Sequence, residues 1–251
     1  MDEKPRSIEH FNAQWGEKFR SLNNFTDTDF IKHLLTRTLT TADEWKGKTV
    51  FEGGCGNGRN TFASLQLGIN WITATDLSAG GVNATIENTK EYKNVGAYQT
   101  SLTELKKEYA ETYDIVFSVN CIPHISNYKD ALREMVRICK QGGLILFNVP
   151  PVRDRLVADV DRKIREHSTK MCPKCLELFS RIMVDWSKKP EISRALRGKM
   201  EISGDLLSAY DHFGLPYTQE FTKEQIIKDM KELGCEILDM DANINVKARK
   251  L

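Results

Sequence analysis

Four glycines fall within six residues of the stretch "TVFEGGCGNGRN", residues 49–60, directly behind an apolar run. Glycines at Gly53, Gly54, Gly56 and Gly58 allow a tight turn, bare the backbone N–H groups and let a ligand lie on the main chain. Glu52 precedes them, and a second acid, Asp76, ends the next β-branched run, "INWITATD". An acid about 24 residues on can accept both hydroxyls of a ribose at the switch point of a parallel sheet. The pair therefore predicts a nucleoside-containing ligand. The spacing narrows the choice. A nicotinamide loop, G-x-G-x-x-G counted from Gly54, would put its third glycine at Arg59, and the G-K-[ST] of a P-loop is missing. Arg59 can serve a pyrophosphate, but a carboxylate at Glu52 pointing into the crevice repels one. It suits a cationic centre, such as an amino acid joined to a nucleoside.

Proton-transfer groups lie further along. His124 follows the apolar run "YDIVFSV", and His212 lies in "AYDHF" beside Asp211, with Tyr210 and Tyr217 nearby. Histidine is the usual base near neutral pH for an alcohol or phenol, and a tyrosine can shape a pocket or hydrogen-bond an oxygen. A structural hydrogen bond is the rival role for each histidine, and a helix cap the rival role for Asp211. "MCPKC" sets Cys172 and Cys175 at metal-ligand spacing, with His167 five residues upstream. A zinc site needs four ligands and no second cysteine pair is near, so no metal is expected.

These residues need a scaffold. From about 48 to 150, short β-branched runs alternate with helical stretches, the pattern of a parallel sheet covered by helices. "YKDALREMVRICKQ" reads as a helix stopped by Gly142-Gly143, with Lys140 near its negative end. Residues 152–213 read as helix upon helix. "TKEQIIKDMKELG" then begins with Thr222 as N-cap and Gln225 at the capping-box position, closes on Gly234, and leads into a hairpin of "CEILDMD" and "NINVKARK" turning at Ala242-Asn243. The expected fold is α/β: a Rossmann-like, seven-stranded, mostly parallel sheet with a C-terminal antiparallel hairpin and a helical cap insertion. Its parts would be a helical lid over 1–44, the nucleotide-binding domain over 45–151 and 216–251, and the cap over 152–215.

With the residues in that order, the chain resembles the class I S-adenosylmethionine-dependent methyltransferases from about residue 45 onward. "VFEGGCGNGR" is similar to their first motif, "ATDLS" to the second, "YDIVFSVNCIPHI" to the fourth-strand motif and "ICKQGGLILFNV" to the fifth. The resemblance implies S-adenosylmethionine as cofactor and S-adenosylhomocysteine as product. It implies cofactor contacts from Glu52, Gly53, Gly54, Gly56, Asp76, Leu77, Ser101, Leu102, Ser118 and Val119. In "YQTSLTEL" Ser101 stands where the family usually has an acid near the adenine, and the fourth-strand motif ends Pro123-His124 rather than in two histidines. "YDHFGLPYTQEFTKEQIIKDMKELGCEI" is similar to the tail of a bacterial small-molecule subgroup carrying D-x-[YF]-S-x-P-Y, with Gly214 for the usual serine. "FNAQWGEKF" is similar to that subgroup's aromatic N-terminal segment, which makes Trp15 part of a lid and a further cofactor contact.

The sulfonium carries an activated methyl, so holding donor and acceptor in line supplies most of the catalysis. The expected activity is methyl transfer to a small molecule, foremost at oxygen, with nitrogen and carbon open and His124, Asp211, His212 and Tyr217 as catalytic candidates. A non-catalytic cofactor-binding subunit, a nicotinamide enzyme and a nucleic-acid methyltransferase are the alternatives. "NVPP" at 148–151 is faintly similar to the N-P-P-Y loop of nucleic-acid amino-methylating enzymes, but that loop belongs after the fourth strand, where this chain has "NCIP". A formal net charge of +1 offers no global field for nucleic acid. Residues 152–200 are nonetheless basic, with about thirteen Lys or Arg against about seven Asp or Glu, which points to an anionic acceptor. No apolar run approaches the roughly 18–20 residues of a bilayer span, "MDEKPRSIEH" lacks signal-peptide character, and six scattered cysteines fit a reducing compartment. A cytoplasmic monomer or homodimer, without nucleic-acid or membrane partners, is the expectation.

Overall fold

Seven runs of β-branched and aromatic residues become strands: β1 Thr49–Gly53, β2 Trp71–Asp76, β3 Val95–Gln99, β4 Tyr113–Ser118, β5 Cys139–Asn148, β6 Cys235–Met240 and β7 Asn245–Lys250. The computed structural model describes residues 3–22, 29–189, 206–215 and 217–251. They divide into two compact units, residues 11–151 with 219–251, and residues 1–10 with 152–218.

The larger unit holds the sheet, in the order β3-β2-β1-β4-β5-β7-β6. β1 to β5 pair in parallel, and β7 runs antiparallel to both β5 and β6. The chain steps outward from β1 through β2 to β3, then returns to lay β4 on β1's other side. That reversal opens a crevice at the carboxyl ends of β1 and β4. Two apolar layers follow from the period-2 pleat. Phe51, Val116, Ile145 and Phe147 face one core, and Val50, Ile115, Phe117 and Leu146 the other.

Helices α1 Glu3–Ala13, α2 Phe30–Thr38, α3 Arg59–Gln66, α4 Ala79–Asn88 and α5 Tyr128–Ile138 precede β5, and a π-helix spans Gln14–Lys18. α5 buries Tyr128, Ala131, Leu132, Met135 and Val136, a stripe at helical spacing.

The C-terminal signals predict that this helix runs on to Gly142-Gly143, but it stops short of them. It ends at Ile138, and Cys139 already pairs with Tyr113 at the start of β5. The next paired residues are Ile115 and Leu144, so Lys140 to Gly143 bulge out of the ladder, with Gly142 at φ 73°. Burial of Cys139 and the ion pair from Lys140 Nζ to Asp114 Oδ1, 2.8 Å, hold this segment against β4. The glycines serve a bulge, whose local chemistry is that of a helix stop.

Beyond β5 lie α6 Arg155–Ser168, α7 Pro173–Ser187, α8 Leu206–Gly214 and α9 Lys223–Glu232. Thr222 caps α9, its hydroxyl accepting from Gln225 N at 3.1 Å. The expected box is half formed, because Gln225 Nε2 donates instead to Tyr128 Oη, 2.7 Å away. Within the smaller unit, Phe179 of α7 meets Phe213 of α8 edge to face at 5.1 Å, and Ser168 Oγ of α6 donates to Phe213 O at 2.7 Å. Residues 190–205 of the expected insertion lie outside the described residues. Among the described residues no helix is long and apolar enough to cross a membrane.

Candidate functional site

β1 ends in Gly53, and the chain turns sharply at the carboxyl edge of the sheet. Gly54, Gly56 and Gly58 adopt φ of 78°, 54° and 83°, conformations that cost an L-residue energy. Space is as restrictive as angle. A Cβ on Gly54 would stand 2.5 Å from Cys121 Sγ, and one on Gly56 3.0 Å from Trp15 Cε2. Thr75 O, at the end of β2, accepts from both Gly54 N (2.7 Å) and Cys55 N (2.9 Å), fixing the bend. α3 starts from Gly58, so its first N–H groups look toward the crevice.

Glu52 lies beneath this bend and is fully buried. Its Oε2 accepts from Thr61 Oγ1 on α3, whereas Oε1 has no hydrogen-bond partner. Burial, helped by the charge of Asp76, pushes the carboxyl up to about 7 against donation from the Thr61 hydroxyl, a weaker one from Asn60 and the charge of Arg59. A buried carboxylate oxygen without a donor is costly, and a cationic ligand group would relieve it.

Asp76 is also buried, and burial raises its pKa. Oδ1 accepts from Ser78 N and Ser78 Oγ, each at 2.8 Å, and Oδ2 from Gly56 N at 2.9 Å. A carboxylate offers about four lone-pair sites, so one on Oδ2 remains for a hydroxyl donor. The sequence pointed to Asp76 as a sugar ligand; in the structure it is the clasp that holds the glycine bend to β2.

Residues 11–22 are tied to this loop. The Trp15 indole packs on Gly56, Asn12 Oδ1 accepts from Gly80 N at 2.9 Å, and Asn57 Nδ2 donates to Phe19 O at 2.8 Å. Gln14 precedes Trp15 in the π-helix, fully buried, with neither amide atom hydrogen-bonded. Sequence reasoning named Trp15 but neither Gln14 nor Thr61. Both sit within a few residues of a named position, yet nothing in their type marks them.

The other cofactor candidates divide in two. Gly53, Leu102, Ser118 and Val119 form the floor: Leu102 fills the space beside Gly53, Ser118 Oγ donates to Gly53 O at 2.9 Å, and Val119 is in the core. Ser101 and Leu77 lie at the rim, half-buried. Ser101 Oγ is 2.8 Å from Thr103 Oγ1, and Leu77 O accepts from Gln99 Nε2 at 3.0 Å.

His124 ends a short 3₁₀ turn after β4, with its ring edge-on to Phe11 at 6.3 Å. Asp211, His212 and Tyr217 belong to the smaller unit. There His212 Nε2 meets Asp161 Oδ1 at 2.6 Å, and Arg153 Nη2 donates to Asp161 Oδ2 at 3.0 Å. Asp161 is only 2% exposed; its pKa is lowered because donation and charge from His212 and Arg153 outweigh burial. Asp211 Oδ1 lies 3.9 Å from His10 Nε2, and the His10 ring stacks on Tyr210. Tyr217, half-buried, follows α8. Asp161 went unnoticed in the sequence because it stands 51 residues from His212.

Residues 51–147 match the family described as "Methyltransferase domain". The "Ubiquinone biosynthesis O-methyltransferase" of Pseudomonas fluorescens (strain Pf0-1) is 27% identical over 103 residues, 41% of this chain and 44% of its own length. The like-named protein of Caulobacter sp. (strain K31) is 25% identical over 181 residues, 68% of this chain and 66% of its own length. The chain thus spans less than two thirds of either relative. Among solved structures, magnesium protoporphyrin IX methyltransferase (ChlM) from Synechocystis PCC 6803 with bound SAM superposes with a TM-score of 0.61. It is 13% identical, over 100% of this chain and 98% of that one. The fold and the class I methyltransferase resemblance read from the sequence are borne out.

Proposed function

We propose, from the premise that residues 51–147 are a methyltransferase domain, that the chain transfers a methyl group from S-adenosylmethionine to an oxygen of a small molecule. One observation carries the reading: a buried carboxylate, Glu52, keeps an unpartnered oxygen beneath a glycine bend that admits no side chain. Those features fit an amino-acid-bearing nucleoside, whose ammonium would meet Glu52 and whose ribose would take the remaining lone pair of Asp76. When bound, the cofactor supplies an activated methyl on sulfur. The protein's own work is to hold and to desolvate. Gly53 to Gly58 give main-chain contact, Trp15 closes over Gly56, and the buried Leu102 and Val119 exclude water from the floor.

An oxygen acceptor must lose a proton. We assign that role to His124, which ends the turn after β4 in the unit that carries the crevice. His212, whose ring Asp161 orients at 2.6 Å in the smaller unit, is the competing base. The curated relatives whose names specify O-methyl transfer support the choice of oxygen, and the basic run over 152–200 supports an anionic acceptor.

The test is calorimetry with S-adenosylhomocysteine, followed by transfer assays from S-adenosylmethionine to a panel of phenolic and carboxylated acceptors. Binding without transfer to any oxygen acceptor, alongside transfer to an amine, would move the reading to nitrogen. If H212N rather than H124N flattens the acidic limb of the pH–rate profile, the base assignment to His124 is wrong.

A further inference from the structure

Outside the crevice, two exposed thiols lie at the start of α7. We propose that Cys172 and Cys175 form a redox-active dithiol that exchanges with low-molecular-weight disulfides.

The geometry is that of a nucleophile and its resolving partner. Cys172 occupies the N-cap of α7, a position usually held by Ser, Thr, Asp or Asn, and its Sγ accepts from Cys175 N at 3.2 Å. The two Sγ atoms lie 2.7 Å apart, and both residues are exposed. Pro173 opens the helix without spending a donor, and the positive end of the helix lies against the Cys172 sulfur. Hydrogen bonding with Cys175, then the nearby Lys174, lowers the Cys172 thiol, while hydrogen bonding with Cys172 and desolvation raise that of Cys175. Three of the remaining four thiols contrast with these. Cys55, Cys139 and Cys235 are buried, and burial pushes their pKa values up.

A metal is the other use for such a pair. Among the described residues no group of three or more His, Cys, Asp or Glu is arranged to hold one. His167, the nearest candidate in sequence, spends Nδ1 on Lys163 O at 3.1 Å.

The chemistry balances with a small-molecule disulfide, RSSR, as oxidant. The Cys172 thiolate attacks one sulfur, forming a mixed disulfide and expelling RS⁻. The Cys175 thiol gives its proton to that thiolate and attacks Cys172 Sγ, expelling a second RS⁻ that takes the proton lost from Cys172. The net reaction turns two protein thiols and RSSR into one intramolecular disulfide and two RSH.

The experiment equilibrates the full chain in glutathione buffers of graded oxidised-to-reduced ratio, quenches with a maleimide and digests with trypsin. Cleavage after Lys174 separates the cysteines, so oxidation appears as two peptides joined by one bond. We expect the joined pair to replace the doubly labelled peptides across the series and to revert on adding reduced glutathione. In C175S, glutathione should be trapped on Cys172. Circular dichroism confirms that each variant is folded. Persistent double labelling at every ratio would overturn the proposal, as would glutathione on Cys121 in preference to Cys172, or zinc retained stoichiometrically by wild type and lost by C172S.

Discussion

Replacing Glu52 with glutamine is expected to change how many protons the chain releases on binding S-adenosylhomocysteine. In the free protein burial holds the Glu52 carboxyl at about 7, so at pH 7 about half the molecules carry its proton. An ammonium brought against Oε1 favours the carboxylate and lowers that pKa by about 1–3 units. Binding at pH 7 should then release about 0.4–0.5 of a proton per site, and by pH 8 only about 0.1. Calorimetry in buffers of different ionisation enthalpy reads the number as a slope. Adenosine, which lacks the amino acid, should release far less, and E52Q should lose the release seen with S-adenosylhomocysteine. Equal release for both ligands, or an unchanged value in E52Q, would refute the placement of a cation against Glu52.

Glu52 should also shape stability without ligand. Between the usual 4.5 and about 7 the unfolded chain has lost this proton and the folded chain has kept it, so stability falls as pH rises, by roughly 3 kcal/mol at most. Urea titrations should show E52Q lacking that slope. T61V removes the one hydroxyl that donates to Glu52 and should cost about 1–3 kcal/mol, more at pH 8 than at pH 5, read as the shift in urea midpoint. G54A combines φ 78° with a Cβ 2.5 Å from Cys121 Sγ, and should lose cofactor binding in calorimetry together with about 1–3 kcal/mol of stability. D161N strips the partner of His212 and Arg153 and should cost about 3–5 kcal/mol near neutral pH. Because the folded pKa of Asp161 is depressed, its contribution is present above the ordinary 3.8 and vanishes as pH falls through the lower folded value; the variant should converge on wild type there. Acceptor KM should rise with ionic strength if the basic segment steers an anion, and a flat response would remove that idea.

The sheet was legible because its signals are local and mutually consistent. Alternating apolar runs gave the strands, the glycines after Phe51 gave the turn, and the acid at the end of "INWITATD" marked the switch point. The bulge at Gly142 was not legible. Lysine followed by two glycines serves a helix end and a β-bulge equally well, and only the buried pairing of Cys139 with Tyr113 decides between them. The site was half legible for a related reason. Glu52 and Asp76 announce themselves by type and place, whereas Thr61 is an ordinary helical residue until α3 brings it to Glu52. Asp161 and His212 meet across 51 positions, and no periodic signal spans that distance. Gln14 is marked only by what it lacks, a partner in a buried setting.

The glycine bend and its buried acid are the centre of the account, and equilibrium dialysis with labelled S-adenosylmethionine tests them most directly. The account predicts saturable binding at one site, displaced by S-adenosylhomocysteine, unaffected by a nicotinamide dinucleotide and abolished in G54A. Retention of a nicotinamide dinucleotide instead, with no labelled S-adenosylmethionine held by the wild-type chain, would contradict it.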